Sequence, residues 1–345
     1  MILMKRMLIT GGAGFIGTNT ALYFAKKGYA ITLFDNLSRI GTKENLAYLQ
    51  KQIPRLSFVQ GDIRDASVVT KVVSRQDIIF HFAAQVAVTT SVRNPKEDFE
   101  INAGGTMNVL EAVRQINPHA IVIYSSTNKV YGGLEHLKVK EKSTRYDCLE
   151  KPFGVDEKTP LDFHSPYGCS KGSADQYVRD YHRLYGLNTI VFRQSCVYGS
   201  HQFGVEDQGW LAWFLIATLF DIPLTIYGNG KQVRDLLSVD DLILAYEKAI
   251  DQIKITSGQI YNIGGGCNNA ISIWLECASL IKSIAGKLPK VTYKKERPGD
   301  QPYFIADIRK ANHDFGWVPT ISYKKGIQQL YQWLSDNKKL IQTLL

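Results

Sequence analysis

The sequence predicts an α/β fold in which helices cover both faces of a parallel sheet. Between Met7 and Arg193, short β-branched runs alternate with helical segments, an order typical of parallel sheets. The apolar runs are continuous rather than alternating, as expected for strands buried on both faces. A glycine-rich turn follows the first run and opens the first helix, which indicates a Rossmann-type, doubly wound sheet.

The elements of this first part follow one another in regular alternation. Strands are predicted at 7–10, 30–34, 56–60, 78–82, 120–125 and 188–192. Helices are predicted at 15–27, 43–51, 65–74, 95–117 and 165–185. We therefore expect residues 1–193 to form the Rossmann-type domain, including the long helix at 165–185.

The regular alternation of strands and helices ends after Gly199, and the predicted elements become mixed. The predicted elements are helices at 210–220, 239–250, 271–285 and 324–336 and strands at 224–227 and 259–263. Residues 194–345 are expected to form mainly a smaller mixed α/β substrate domain. No Pro/Gly/Ser-rich linker separates the parts, so some crossing of the chain between them is expected. The charged stretch 137–163 predicts an ordered loop over a functional site.

The composition indicates which kinds of ligand and which cellular environment are expected. Hydrophobic residues make up 45% of the chain and charged residues 21%, as in ordinary globular proteins. The net charge of +9 is spread without a run of like charges, which favours small polyanionic ligands over nucleic acid. The 5 cysteines show no Cys-x-x-Cys pair and no ligand spacing with histidine, so a reduced, cytoplasmic protein without a metal is expected. No apolar stretch approaches the roughly 18 residues of a membrane span.

Three glycines in the first strand-to-helix turn predict a dinucleotide site. Gly11, Gly14 and Gly17 precede a helix N-terminus, where free N–H groups and the helix dipole attract phosphate. A tight turn without a ligand would also use glycine here. Asp35 favours the cofactor, because it ends the second strand where a carboxylate accepts from both ribose hydroxyls. The carboxylate also disfavours a 2′-phosphate, so NAD is expected rather than NADP, although Arg39 would partly offset this preference.

Asp62 and Ile63 come directly after the third predicted strand. We expect them to face the adenine ring of the dinucleotide. The alternative is that Asp62 caps the helix predicted at 65–74.

A tyrosine and a lysine one helical turn apart predict proton chemistry. Tyr167 and Lys171 are spaced i, i+4 on a helix that begins at Ser165-Pro166, so they share a face. An ammonium group and an oxidised nicotinamide both favour the phenolate, which would make Tyr167 a base toward a sugar hydroxyl. The alternative is a solvated pair without function. Thr127 ends the fifth strand, and its hydroxyl is expected to hold the substrate oxygen.

Together these residues resemble the extended short-chain dehydrogenase/reductases that act on nucleotide sugars. The resemblance covers nearly the whole chain. It is carried by 10–17 (TGGAGFIG), 35–39 (DNLSR), 61–64 (GDIR), 81–85 (HFAAQ), 124–132 (YSSTNKVYG), 161–171 (LDFHSPYGCSK), 207–210 (DQGW), 228–235 (GNGKQVRD) and 297–300 (RPGD).

The resemblance implies an NAD-dependent enzyme with Thr127, Tyr167 and Lys171 as its catalytic set. The residues implied to surround NAD are Gly11, Gly14, Phe15, Ile16, Gly17, Asp35, Asn36, Ser38, Arg39, Asp62, Ile63, Ala83, Ala84, Gln85, Asn102, Ser125, Tyr167 and Lys171. Those implied to bind a nucleotide-diphosphate sugar are Gln85, Thr127, Asn128, Gln208, Arg234, Arg297 and Asp300, with the two arginines clamping the diphosphate. A homodimer or homotetramer is implied as well.

Two departures from the wider family bear on the reaction. Sugar 4,6-dehydratases carry Asp-Glu after the threonine as acid and base, and here these positions are Asn128 and Lys129, which argues against dehydration. Cys196 stands where many 4-epimerases carry asparagine, which weakens a 4-epimerase reading. Within the family, the segments 124–132, 161–171, 207–210 and 228–235 resemble the branch that inverts C2 of a CDP-hexose.

We therefore expect transient oxidation to a keto sugar and return of the hydride to the opposite face. A UDP-hexose 4-epimerase is one alternative, and a dehydrogenase that releases NADH is another. A non-catalytic NAD-binding protein with an RNA-binding or regulatory role would suit the basic charge. Thr127, Tyr167 and Lys171 argue against it, because binding alone does not need all three.

Overall fold

A seven-stranded sheet organises the computed structural model, which describes residues 4–297 and 300–345. Two residues of the predicted RPGD segment, Pro298 and Gly299, lie outside the described residues. The strands, in chain order, are β1 (Arg6–Thr10), β2 (Ala30–Asp35), β3 (Ser57–Gln60), β4 (Ile78–His81), β5 (Ile121–Thr127), β6 (Val139–Glu141), β7 (Tyr146–Cys148), β8 (Asn188–Gln194), β9 (Cys196–Tyr198), β10 (Leu224–Tyr227), β11 (Val233–Ser238), β12 (Gln259–Ile263), β13 (Ala270–Ser272), β14 (Val291–Lys294) and β15 (Tyr303–Phe304).

The large sheet has the strand order β12-β8-β5-β4-β1-β2-β3, and its pairs are all parallel. This is the doubly wound arrangement that the alternating pattern predicts. The order reverses next to β1, and such a switch point is where open α/β sheets bind ligands.

Helices cover both faces of the sheet. In chain order, the helices of the described residues, including those that pack in the second part of the chain, are α1 (Phe15–Lys26), α2 (Thr42–Gln52), α3 (Ala66–Val73), α4 (Val88–Arg93), α5 (Pro95–Phe99), α6 (Gly105–Ile116), α7 (Ser165–Tyr185), α8 (Trp210–Phe220), α9 (Val239–Asp251), α10 (Ile253–Thr256), α11 (Leu275–Ala285), α12 (Arg309–Phe315), α13 (Tyr323–Asp336) and α14 (Lys338–Gln342). One core joins β-strand side chains to α1, α2 and α9, and the other joins them to α3, α6 and α7. Among the described residues, none of these helices combines the length and apolar character needed to cross a bilayer.

The helix predicted at 95–117 is interrupted in the structure. A π-helical segment, Glu100–Gly104, separates α5 from α6. It carries the buried Asn102 in its middle, and Gly105 follows, where a Cβ would come within 2.6 Å of Ile63 Cγ2. Such single π turns inside α-helices are often found at functional sites.

The second half of the chain returns to the large sheet. Strand β12 pairs with β8, and α9 packs on the face that α1 covers, although the sequence pattern groups both with the second part. The remaining strands form smaller sheets in which β11 pairs with β9, β13 and β15, and β10 pairs with β14. The helix predicted at 271–285 begins only at Leu275, because Ala270–Ser272 forms a strand against β11.

The stretch 137–163 is ordered, but it lies beside the main cavity and does not line it. It contains the β6–β7 hairpin. Backbone bonds attach it to the second part of the chain, from Val155 N to Ile305 O at 2.7 Å and from Tyr146 N to Lys231 O at 3.1 Å. The prediction of a loop over the site is wrong in its placement.

Candidate active site

A cavity of about 670 Å³ opens at the carboxyl ends of the parallel strands. Its wall includes the ends of β2, β5 and β8 and the turns after β1, β3 and β4. The second part of the chain closes it with the connection between β9 and α8 and with the first residues of α8. The predicted glycine turn and the predicted Tyr/Lys pair thus meet in one cavity.

The glycine turn leaves room for a ligand close to the backbone. Gly11 has φ +67°, and a Cβ there would come within 2.7 Å of Ala83 N. A Cβ at Gly17 would lie 2.5 Å from Gly11 O, so the turn and the first turn of α1 pack backbone to backbone. Gly14 is the N-cap of α1, and the cap offers no side chain of its own. The helix N–H groups are therefore open to a phosphate, which is what a pyrophosphate site requires.

Asp35 lies at the end of β2 in the cavity wall and is 8% exposed. Burial raises the pKa of its carboxyl, and hydrogen bonds from Leu37 N at 2.8 Å and Ala13 N at 3.0 Å oppose this shift. Each oxygen keeps a further lone pair for a ligand hydroxyl. Asn36, Ser38 and Arg39 line the same wall, as the sequence predicts.

Asp62 does not cap a helix. The N-cap of α3 is Asp65, which accepts from Ser67 N and Val68 N. Arg64 holds the Asp62 carboxylate with two bonds of 2.9 and 2.8 Å and lowers its pKa to about 2. Asp62 and Ile63 both line the cavity, as expected for residues near an adenine ring.

Asn102 lies behind the cavity wall rather than in it. It is 1% exposed, and its Oδ1 accepts from Gln85 N at 2.9 Å. Its amide donates to Ser170 Oγ at 3.0 Å, and Ser170 in turn donates to Asp98 at 2.5 Å. Ala83, Ala84 and Gln85 line the cavity. Asn102 thus positions Gln85 and does not itself line the cavity.

The three predicted catalytic residues come together at the end of β5. Tyr167 and Lys171 lie on α7, and both are nearly buried. All three residues line the cavity. Lys171 Nζ donates to Ser125 O at 2.6 Å and lies 4.3 Å from the centre of the Tyr124 ring. The pair is therefore buried and fixed, which excludes the solvated alternative.

The pKa values differ from the sequence expectation. Burial raises the pKa of Tyr167 to about 12, although the side chain of Thr127 acts in the opposite direction. Burial lowers the pKa of Lys171 to about 7, while Asp175 and Asp98 oppose that shift. The lysine bonds to a backbone carbonyl instead of the phenol. The protein groups alone therefore keep Tyr167 a neutral phenol at pH 7, and the expected lowering of its pKa by Lys171 is not observed.

Comparison with known protein sequences identifies the family of this chain. A sequence profile of the GDP-mannose 4,6 dehydratase family matches residues 8–330. The chain belongs to that family. It is similar to CDP-paratose 2-epimerase of Salmonella typhi, with 48% identity over 338 residues that cover 96% of this chain and 99% of the relative. Within the GDP-mannose 4,6 dehydratase family, this relative fits the resemblance that the sequence motifs indicate.

Two further relatives are also epimerases. A putative UDP-glucose 4-epimerase of Methanocaldococcus jannaschii is 33% identical, covering 96% of this chain and 99% of that protein. The crystal structure of UDP-glucuronic acid 4-epimerase from Bacillus cereus, in complex with UDP-glucuronic acid and NAD, has a TM-score of 0.82 and 29% identity, covering 96% of this chain and 99% of that one. Membership of the GDP-mannose 4,6 dehydratase family therefore does not by itself fix the reaction.

The predicted substrate residues separate into two groups. Gln85, Thr127 and Gln208 line the cavity, and Gln208 accepts from Arg39 Nη2 at 2.6 Å. The others lie outside the lining, where Arg234 pairs with Asp300 at 2.7 Å, Arg297 pairs with Asp207 at 3.3 Å, and Asn128 bonds to Gln301 at 3.2 Å.

Several residues that support the site were missed by the sequence analysis. Asp175 pairs with Arg193 at 2.8 Å and accepts from Ser126 Oγ at 2.7 Å, which fixes the end of β5 against α7. Asp175 follows Lys171 by four residues on one helix, and that spacing was an available signal. Asp98 and Ser170 are 72 residues apart and carry no such signal.

Proposed function

We propose that the protein is an NAD-dependent nucleotide-sugar epimerase that inverts C2 of a CDP-hexose, as in conversion of CDP-paratose to CDP-tyvelose. The observation that carries the proposal is the convergence of Thr127, Tyr167 and Lys171 in one cavity with the glycine turn and Asp35. The 48% identity with CDP-paratose 2-epimerase supports the choice of carbon and of nucleotide.

The residues fit NAD. The helix N–H groups beside Gly14 would hold the pyrophosphate, Asp35 would accept from the ribose hydroxyls, and Asp62 and Ile63 would face the adenine. Bound NAD⁺ supplies reversible hydride acceptance, and its positive charge favours the phenolate of Tyr167. The Bacillus cereus epimerase, which is similar to this chain throughout, holds NAD.

The side chains of the site would then transfer one proton from the substrate and back to it. Tyr167 Oη takes the proton of the ring hydroxyl as hydride leaves the same carbon, and returns it when hydride comes back to the opposite face. Thr127 would hydrogen-bond the reacting oxygen. The bond from Lys171 Nζ to Ser125 O holds the amine in place beside the site. The cofactor is regenerated, so no net redox change occurs.

Elimination of water does not fit these residues. The position after Thr127 is Asn128, whose buried amide bonds to Gln301, and the next is Lys129, which is a cation. No carboxyl pair stands at these two positions to act as acid and base.

Product analysis separates the proposed reaction from its runner-up, a UDP-hexose 4-epimerase, which the M. jannaschii relative favours. The purified protein is incubated with CDP-paratose, CDP-glucose and UDP-glucose in deuterated water, and NMR locates the inverted carbon. We expect inversion at C2 of a CDP-sugar without deuterium at that carbon. Inversion at C4 of UDP-glucose would establish the runner-up instead, and steady NADH release would indicate a dehydrogenase.

Replacing Asp35 by asparagine should weaken NAD binding by about tenfold or more, because one carboxylate acceptor for the ribose becomes an amide donor. Binding of NADP should change less, since the carboxylate no longer repels a 2′-phosphate. Fluorescence titration with both cofactors measures the ratio. Asp65→Asn, at the exposed N-cap of α3, is the matched control. An unchanged NAD/NADP ratio would contradict the assignment of Asp35.

We also propose a homodimer or homotetramer that uses the outer face of α7. Tyr177, Leu184 and Tyr185 on this helix and Phe99 on α5 expose between 45% and 67% of their surface. An apolar face of this kind suits a second copy of the chain. Light scattering measures the assembly, and a monomer would contradict the proposal. Cytoplasmic location stays a prediction from the 5 free cysteines among the described residues.

A further inference from the structure

A second cavity, of about 210 Å³, adjoins the main cavity, and the proposed mechanism gives it no role. Its walls come from α2, from the connection between β9 and α8, and from α13 and α14, so it joins elements of both parts of the chain. Asn45, His201 and Phe203 line both cavities. Pockets for drug-sized ligands typically have volumes of roughly 300 Å³ or more, so the second cavity suits a smaller ligand.

Four aromatic rings form a continuous wall of the second cavity. The centre of the His201 ring lies 4.6 Å from that of Tyr48 and 5.2 Å from that of Trp333. The Trp333 ring in turn lies 5.8 Å from the ring of Phe203. Burial lowers the pKa of His201 to about 4, so its ring is neutral at pH 7. The faces of aromatic rings carry a negative potential, and this wall therefore favours a positively charged ligand.

Glu44 adds a negative charge to the same cavity. Among the described residues that line it, Glu44 is the only one with a charged side chain at pH 7. Its half-buried carboxylate makes no ion pair or hydrogen bond with another described residue. Lys43, Lys338 and Lys339 neighbour lining residues in the sequence, but none of them lines the cavity. A carboxylate without a cation, next to several aromatic rings, is the combination that binds alkylammonium groups.

Asn45 connects the second cavity to the cofactor site. Its Nδ2 donates to Ala13 O at 3.1 Å and to His201 O at 3.3 Å. Ala13 belongs to the glycine turn, and its N–H donates to Asp35 Oδ2 at 3.0 Å. The backbone of His201 has φ +63°, which is uncommon outside glycine and persists only where the surroundings hold it. A ligand that fixes His201 therefore also fixes the turn and the carboxylate expected to bind NAD.

We propose that the second cavity is an effector site for a small alkylammonium ion. The cationic head of the ligand lies against the aromatic wall and beside Glu44. The occupied cavity holds His201 and Asn45, and through Asn45 the glycine turn, in the arrangement that binds NAD. Because less order is then lost when the cofactor binds, the ion raises the affinity for NAD. This inference does not depend on which carbon of the sugar is inverted.

Calorimetry on the full chain at constant ionic strength tests the site with two probes of the same shape. Choline carries a trimethylammonium group, and 3,3-dimethylbutan-1-ol is its neutral analogue. We expect saturable binding of choline and about tenfold weaker binding of the alcohol, because the attraction to the rings and to Glu44 needs the charge. Saturating choline should raise the affinity for NAD by about fivefold, and NAD should raise the affinity for choline by the same factor.

Variants of the cavity locate the bound ion. Trp333→Leu should weaken choline binding by about tenfold, whereas Trp333→Phe, which keeps an aromatic face, should retain most of the affinity. Glu44→Gln should weaken it by about threefold, since an exposed charge contributes modestly. Glu150→Gln, at an exposed glutamate outside the cavity, changes the net charge equally and should leave choline binding unchanged. Glu44→Gln alters only a half-buried side chain, so the test does not depend on the folding of Trp333→Leu.

Three results would overturn the inference. Absence of saturable choline binding, or equal losses in Glu44→Gln and Glu150→Gln, would show that the cavity is not a cation site. Equal affinities for choline and the alcohol would indicate an apolar cavity without preference for charge. An NAD affinity that choline leaves unchanged or lowers would show that the cavity does not act on the cofactor site.

Discussion

Replacing Tyr167 by phenylalanine should slow epimerisation by about 10³-fold, because the variant loses the only oxygen that exchanges the proton with substrate. The buried ring stays in place, so the cavity and NAD binding should persist. Initial rates with CDP-paratose, followed by NMR, measure the effect.

The control for this variant is Tyr293→Phe, at an exposed tyrosine on β14, which should leave turnover unchanged. Full turnover by Tyr167→Phe would show that the phenol takes no part in the mechanism. Incorporation of solvent deuterium at the inverted carbon would point to direct deprotonation of that carbon instead of hydride transfer.

Replacing Lys171 by methionine should reduce turnover by about 100-fold or more and yet stabilise the fold. Burial lowers the pKa of Lys171 to about 7, against about 10.5 for an unfolded lysine. Below pH 7 both states carry the ammonium, and the folded state bears the full cost of burying it. Between pH 7 and about 10.5 the folded state has lost a proton that the unfolded state keeps, so this cost declines as pH rises.

The stabilisation by Lys171→Met should therefore be largest below pH 7 and should fade toward pH 10. Each unit of pKa displacement corresponds to about 1.4 kcal/mol. Denaturant unfolding at pH 6, 8 and 10 measures the trend, with Lys158→Met as the control at an exposed site. A stability difference that does not vary with pH would contradict the lowered pKa. Retained turnover would show that catalysis does not need Lys171.

Local signals in the sequence predict much of the fold. The bounds of α8, β10 and β12 agree with the predicted ones at both ends. The reason is visible at α8, where Gly209 before it and Asp221 after it adopt the left-handed conformation that interrupts a helix. Strand β15 has only two residues and exists because it pairs with β11, about 70 residues away, so no local pattern predicts it.

The residues of the candidate site also differ in whether a local sequence pattern predicts them. Gly11, Asp35 and Tyr167 are evident because each belongs to a short motif whose chemistry depends on local spacing. Asp98 and Gln301 have no such motif, since their partners Ser170 and Asn128 lie 72 and 173 residues away. Only the folded chain brings them together. The sequence pattern does not predict the lowered pKa of Lys171 either, because this shift depends on burial by several elements.

The return of β12 to the large sheet limits how this chain can be divided. Strand β8 has β5 on one side and β12 on the other, so a fragment ending at residue 193 would leave β8 as a new edge. Six of its seven residues are buried in the intact chain, and such an edge is prone to intermolecular pairing and aggregation. Chimeras between relatives should therefore exchange the second part of the chain without α9 and β12, which belong in space to the first.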